Sequence, residues 1–213
     1  MRAAERAVLT VVSNENAQLG NDSPTHPRTL TEHLDATARA CQSRLSAILV
    51  ADMVNYSKHM AEDEAGTYAR LASISHDVIQ PIIAQEAGHT VKRTGDGLLA
   101  LFVSATSAVL CALRLQGAIR AWNESRAHGS PLQFRIGINL GDVIVERHDV
   151  FGHSVNVAAR LEAMAEPGGI LASHAVVASV RNPEVFFEDA GELTLKNIAE
   201  TVRSFRVQAK VLR

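Results

Sequence analysis

Along the chain the apolar residues change their period several times, and each change marks an element. From Leu45 to Val54 the run is apolar apart from Ser46 and Asp52 and is bounded by charge, which suits a buried strand. Between Glu62 and Gln85 the residues Ala65, Tyr68, Leu71, Ile74, Val78 and Ile82 recur every three or four positions, the spacing of one helix face, with Pro81 expected to kink it. Thr90 to Thr94 and Leu98 to Val103 flank Gly95-Asp96-Gly97, and Asp-Gly between two such runs predicts a hairpin. Ala105 to Trp122 reads as helix, Gln133 to Asn139 and Val143 to Glu146 as strands, and Ser154 to Ala165 as a helix halted by Pro167-Gly168-Gly169. Short strands near Ile170 to Ala172 and Val202 to Val207 close the body. The expected class is α+β. Its core order, βαββαβ, is the ferredoxin-like plan of an antiparallel sheet with helices on one face, extended here by further C-terminal strands.

The pattern divides the chain at residue 43. Before it, Ser13 to Pro27 is polar and rich in breakers, as a flexible linker should be, and Leu30, Leu34, Ala38 and Cys41 follow helical spacing. We expect residues 1–43 to be a flexible extension with a short helix that packs on the body or a partner, or else an unstructured tail, and residues 44–213 to form one catalytic domain. At 213 residues and 46% hydrophobic, the chain can bury a full core. With 21 Lys+Arg against 23 Asp+Glu the net charge is −2, so the global basic field of a nucleic-acid binder is missing, and no nucleic-acid partner is expected. Cys41 and Cys111 make neither a disulfide framework nor a cysteine-based zinc site, so the default compartment is a reducing cytoplasm. Gly97 to Leu113 carries no charge and mimics a membrane span, but Ser104, Thr106 and Ser107 interrupt it and Asp96 and Arg114 close it. A strand running into a buried helix explains it better, so no membrane span is expected.

Chemistry gathers at three places. Asp52 interrupts an apolar strand just before a turn, where an ordinary capping role is the plain alternative. Asp96 sits at the hairpin tip, where Asp-Gly can simply make the turn. In a ferredoxin-like sheet, however, the end of the first strand and the hairpin tip come together, and two like charges held close are costly without a cation. Hard divalent ions that bind substrate phosphates through one or two carboxylates would resolve that cost. The third place is the helix carrying Asn156 and Arg160, i and i+4 on one face, where an amphipathic helix with Arg160 bridging Glu162 or Glu166 is the alternative.

Taken together, LSAILVADMVNYS, VKRTGDGLLALF, FRIGINLGDVIVE, DVFGHSVNVAARLEAMAEPGGI and LKNIAETVRSFRV resemble the class III nucleotidyl cyclases, the catalytic domain of adenylate and guanylate cyclases, over residues 44–207. The resemblance implies that Asp52 and Asp96 bind two divalent metals, Mg²⁺ or Mn²⁺. It implies that Lys92 and Asp149 read adenine, that Asn156 orients the ribose and that Arg160 stabilises the transition state. A lysine donor and a carboxylate acceptor complement adenine, whereas guanine would commonly be matched by Glu and Cys at those positions. The implied reaction is attack of the ribose 3′-hydroxyl of ATP on the α-phosphorus, giving 3′,5′-cyclic AMP and pyrophosphate, at two sites shared by a homodimer. Each site would take its aspartates from one chain and Lys92, Asp149, Asn156 and Arg160 from the other. Two positions depart from the pattern. Asn55 stands where many relatives have Gly in a loop that approaches the triphosphate; Asn tolerates left-handed backbone, so weakened but surviving phosphate binding is expected. Lys196 is a candidate triphosphate contact in loose register, with a solvated surface lysine slightly favoured. The alternatives are a guanylate cyclase and a catalytically silent nucleotide-binding or dimerisation module, although a silent module should lack some of the six polar positions. A diguanylate cyclase would need a Gly-Gly-Asp/Glu-Glu-Phe hairpin, which Thr94 to Leu98 does not supply.

Overall fold

The computed structural model describes residues 43–125, 129–146, 149–194 and 201–210. The expected short helix around Leu30 to Cys41 and the candidate Lys196 lie outside them.

β1 (Ser43–Met53) is the apolar run, and its alternation separates two cores. Ala47, Leu49, Ala51 and Met53 face one side, while Ile48 and Val50 face the other. β1 pairs antiparallel with β3 (Gly97–Phe102) and with β4 (Phe134–Glu146), and β2 (His89–Thr94) pairs with β3. The order β2-β3-β1-β4 is the ferredoxin-like core, and β6 (Ile170–Ser173), β8 (Thr201–Ala209) and β7 (Val185–Thr194) extend it beyond β4. A short β5 (Asp149–Phe151) pairs with the far end of β4.

On the odd face of β1 lie the helices that the plan requires. The first crossover contains α1 (Tyr56–Glu62), α2 (Glu64–Ile74), a π-helical turn (Ser75–Ile79) and α3 (Gln80–Gln85); the second is α4 (Ala105–Glu124). The helix expected over 62–85, with a kink at Pro81, is interrupted near its start and widens just ahead of Pro81. Asp63 adopts extended backbone, φ −156° and ψ 90°, and its side chain accepts the Gly66 N–H at 2.9 Å, so it caps α2 instead of continuing α1. Pro81 brings no N–H and crowds the carbonyl of Asp77, and the chain widens into the π turn just ahead of it. Residues 97–113, the uncharged stretch, are β3 running into α4, and no helix among the described residues is long and apolar enough to cross a membrane.

α5 (His153–Met164) covers the opposite face, packing Ala158 against Ile48, Val50 and Val143. Thus the one-face arrangement holds for the ferredoxin-like core, while the added helix makes the molecule three layers. The two strands expected over 133–139 and 143–146 are a single thirteen-residue strand. Gly141-Asp142 reads as a turn, yet β1 pairs through it, with Ser46 opposite Gly141 and Leu45 opposite Asp142. α6 (His174–Ser179) and β7 had not been expected.

Candidate active site

Asp52 is the penultimate residue of β1 and stands opposite Gly97, the first residue of β3. The next residue, Met53, donates its N–H to the carbonyl of Asp96 at 3.1 Å. The ladder thus brings the end of β1 to the hairpin tip, as the pairing of these carboxylates required. Gly95 makes the tip at φ +60°, a backbone region that glycine enters without steric cost. Burial pushes the Asp96 carboxyl up from its ordinary value, and a hydrogen bond from its own backbone N–H offsets part of the rise. A cation is the natural counterweight to such a carboxylate. No cluster of three or more His, Cys, Asp or Glu side chains occurs among the described residues. Two carboxylates carried at the end of β1 and the hairpin tip are a donor set that a cation completing its shell with water and substrate oxygens would fit.

Asn55 follows in left-handed backbone, φ 56° and ψ 32°, at the start of α1. Its carbonyl accepts the N–H groups of Lys58 and His59 at 2.9 and 3.1 Å, so the turn is made in spite of the side chain.

Across the same sheet face, Lys92 on β2 donates to Asp149 Oδ2 on β5 at 2.9 Å, and the N–H of Val150 donates to Asp149 Oδ1 at 2.9 Å. Both oxygens of the acid are oriented. The β2 ladder shifts register between Thr90 and Lys92, a bulge of the kind that re-aims a side chain. With roughly a third of Lys92 and a quarter of Asp149 exposed, at 32% and 26%, the pair is open enough to water to add less than about 1 kcal/mol to stability. Little is then lost when a ligand inserts between its members.

Gly152, at φ 139°, ends β5 and starts α5, its carbonyl accepting the N–H groups of Val155 and Asn156. The face of α5 that meets the sheet carries Val157, Ala158, Leu161 and Glu162. Asn156 is exposed and Arg160 half-buried, one turn apart on the same side of the helix.

Asp52, Lys92, Asp149 and Asn156 line one cleft of about 190 Å³, together with Thr94 and Phe151. Asp96, Asn55 and Arg160 lie outside its lining. The cleft is smaller than the ~300–1,000 Å³ that usually encloses a drug-sized ligand. A larger groove of about 560 Å³ runs between α4, Gly169 and β8, past Arg120, Glu166 and Arg206, and holds none of the predicted residues.

Sequence reasoning missed two neighbours. Thr94 shares a strand face with Lys92 two residues earlier, a signal that was present. Arg135 stands opposite Asp52 in the β1/β4 ladder, and its Nε is buried without a hydrogen-bond partner among the described residues. Its relation to Asp52 exists only in the register of two distant strands.

A sequence profile described as "Adenylate and Guanylate cyclase catalytic domain" matches residues 41–209. A protein of Rhizobium meliloti named "Putative adenylate cyclase 3" is 43% identical over 160 residues, covering 75% of this chain and 27% of that protein. The chain thus spans about a quarter of the length of that curated relative. The crystal structure titled "Adenylate/Guanylate Cyclase/Hydrolase" from Silicibacter pomeroyi is 43% identical, with a TM-score of 0.71 over 78% of this chain and 97% of its own. The adenylyl cyclase CyaB of P. aeruginosa, 22% identical, shares the fold at a TM-score of 0.71 over 80% of this chain and 97% of its own.

Proposed function

The chain belongs to the family of adenylate and guanylate cyclase catalytic domains, and from that premise we propose that it converts ATP to 3′,5′-cyclic AMP and pyrophosphate at two sites shared by a homodimer. The observation that carries the choice of ATP is the Lys92–Asp149 pair, held at 2.9 Å on the wall of the cleft. Adenine presents an amino donor and ring-nitrogen acceptors, which a carboxylate acceptor and a lysine donor complement. Lys92 and Asp149 exchange their mutual bond for bonds to the purine, and Val150 keeps Asp149 aimed while they do so.

Asp52 and Asp96 would hold two divalent cations, Mg²⁺ or Mn²⁺, whose charge would neutralise the triphosphate and acidify the ribose 3′-hydroxyl. Asn156 orients the ribose so that this hydroxyl lies in line with the α-phosphorus. A new P–O bond forms at the 3′-oxygen, the bond from the α-phosphorus to pyrophosphate breaks, and the hydroxyl proton passes to water. Arg160 offsets the charge that develops on the α-phosphate. The turn at Asn55 carries the backbone past the β- and γ-phosphates, and Lys196 is a further candidate contact to them.

Two features support a shared site. The single-chain cleft of about 190 Å³ is too shallow to enclose ATP by itself. Asn156 and Arg160 project from the side of α5 that the sheet does not cover, where a second copy can meet them. A reaction that consumes ATP belongs in the cytoplasm.

The test is turnover of ATP and GTP with Mg²⁺ and with Mn²⁺. Cyclic AMP should form in preference to cyclic GMP. Asp52→Ala and Asp96→Ala should each lower the rate by about a thousandfold or more while the protein stays folded. Near-normal rates in both variants would remove the metal assignment, and no turnover of either nucleotide would remove the enzyme.

A further inference from the structure

α5 rests on β4 at three alternating positions of one strand face, Gly137, Asn139 and Gly141. In the ladder with β1 they lie opposite Val50, Ile48 and Ser46. A Cβ at Gly137 would lie 2.2 Å from the carbonyl oxygen of Ala158 and 2.2 Å from the nitrogen of Glu162. One at Gly141 would lie 2.3 Å from the Ser154 hydroxyl. The two glycines therefore let the helix come down onto the strand, but they do not decide where along the strand it stops.

Asn139 supplies that decision. It is 6% exposed, and its Nδ2 donates to the carbonyl of Ser154, in the first turn of α5, at 3.0 Å. A hydrogen bond is directional where apolar contact is not, so it selects one height of the helix over its neighbours. Ser154 precedes Asn156 by two residues and Arg160 by six, on a rigid helix that rises about 1.5 Å per residue. Any slip of the first turn therefore moves both side chains together.

We propose that Asn139 is a positioning residue: its buried amide sets the height of α5 on β4 and so places Asn156 and Arg160 against the reacting phosphate. This rests on the cyclase reading for the reaction it serves. The Ser154 carbonyl has two lone pairs and also serves the helix, so losing the asparagine leaves no orphaned acceptor. The loss is one of placement, and a misplacement of about 1 Å costs on the order of a hundredfold in rate.

Asn139→Leu keeps the branched shape of the side chain, with bulkier ends, and removes the donor. The expected result is a kcat lower by about ten- to a hundredfold with the KM for ATP changed less than about threefold. In a background carrying both Asn156→Ala and Arg160→Ala the same substitution should cost less than about threefold, because both groups it positions are gone. Asn139→Ala removes the same donor without added bulk and should give the same signature, which covers the case in which Asn139→Leu fails to fold. An equal loss in both backgrounds, or a loss confined to KM, overturns the proposal. Backbone amide exchange provides a readout independent of turnover. Amides of Val155 to Ala159 should exchange at least about tenfold faster in Asn139→Leu while those of α4 do not change. If folded wild-type protein turns over neither ATP nor GTP, the cyclase reading fails and this comparison alone judges the pin; unchanged exchange overturns it.

Discussion

Lys92 and Asp149 are 57 residues apart, yet each finds the other across two short strands. Because the pair is partly open to water, it adds little to the stability of the fold, and the role proposed for it is to read the purine. Replacing Lys92 by Glu and Asp149 by Cys together should lower kcat/KM for ATP by about a hundredfold, from the loss of two complementary bonds, and should raise the relative use of GTP. An unaltered ATP/GTP ratio in a competition assay would show that these residues do not read the purine. Cys111 makes a contrasting case: fully buried in α4, its thiol is pushed up to about 12 by desolvation, with Glu86 adding to the rise. Because the buried site penalises the thiolate, the fold has no pH dependence from this thiol well below 9.0 and loses stability as pH rises from there towards about 12. Peptide mapping after iodoacetamide treatment at pH 8 should find Cys111 unmodified in the native protein and modified in denaturant. These residues differ in how far sequence exposes them. The turn at Asp96 was legible because Asp-Gly between two apolar runs has one strong reading, and the left-handed turn at Asn55 because the family resemblance sets it where many relatives have glycine. Arg135 was not, since nothing short of the β1/β4 register places it opposite Asp52.

Elements were legible wherever burial imposed a clean period. β1, the β2–β3 hairpin, α4 and α5 stand close to where their apolar spacing placed them. β7 was missed because it is an edge strand with Glu188-Asp189 at its centre and a register shift before Gly191; its alternation breaks where the ladder does. β4 was divided in two because Gly141-Asp142 has turn chemistry. In the folded chain that glycine serves close approach of α5 instead, a use that composition cannot distinguish from a turn. The same contact yields a stability prediction. Gly137→Ala would drive a methyl into two backbone atoms of α5, which cannot move without moving the helix, so a loss of roughly 2–4 kcal/mol is expected. Gly141→Ala meets only the Ser154 side chain and should cost about 1 kcal/mol, largely recovered by adding Ser154→Gly. Urea denaturation midpoints of the three variants test the order, and equal costs at 137 and 141 would contradict the packing.

At the scale of the molecule, one sheet face carries Asp52, Lys92 and, through α5, Asn156, so each chain presents both kinds of machinery on the same side. A two-fold axis over that face would set the aspartates of one copy against the Asn156 and Arg160 helix of the other, in both directions at once. This arrangement makes a demand that a self-contained site does not. Asp96→Ala and Arg160→Ala homodimers should each be nearly inactive, since every site in either lacks one essential group. When the two are mixed and exchange subunits, each heterodimer has one site with both defects and one with none. Random pairing makes about half the dimers mixed, and so returns roughly a quarter of wild-type activity if the sites act independently. Were no activity to return despite subunit exchange demonstrated by differential tagging, either the aspartates and Arg160 act within one chain or the two sites are so strongly coupled that one damaged site silences the other.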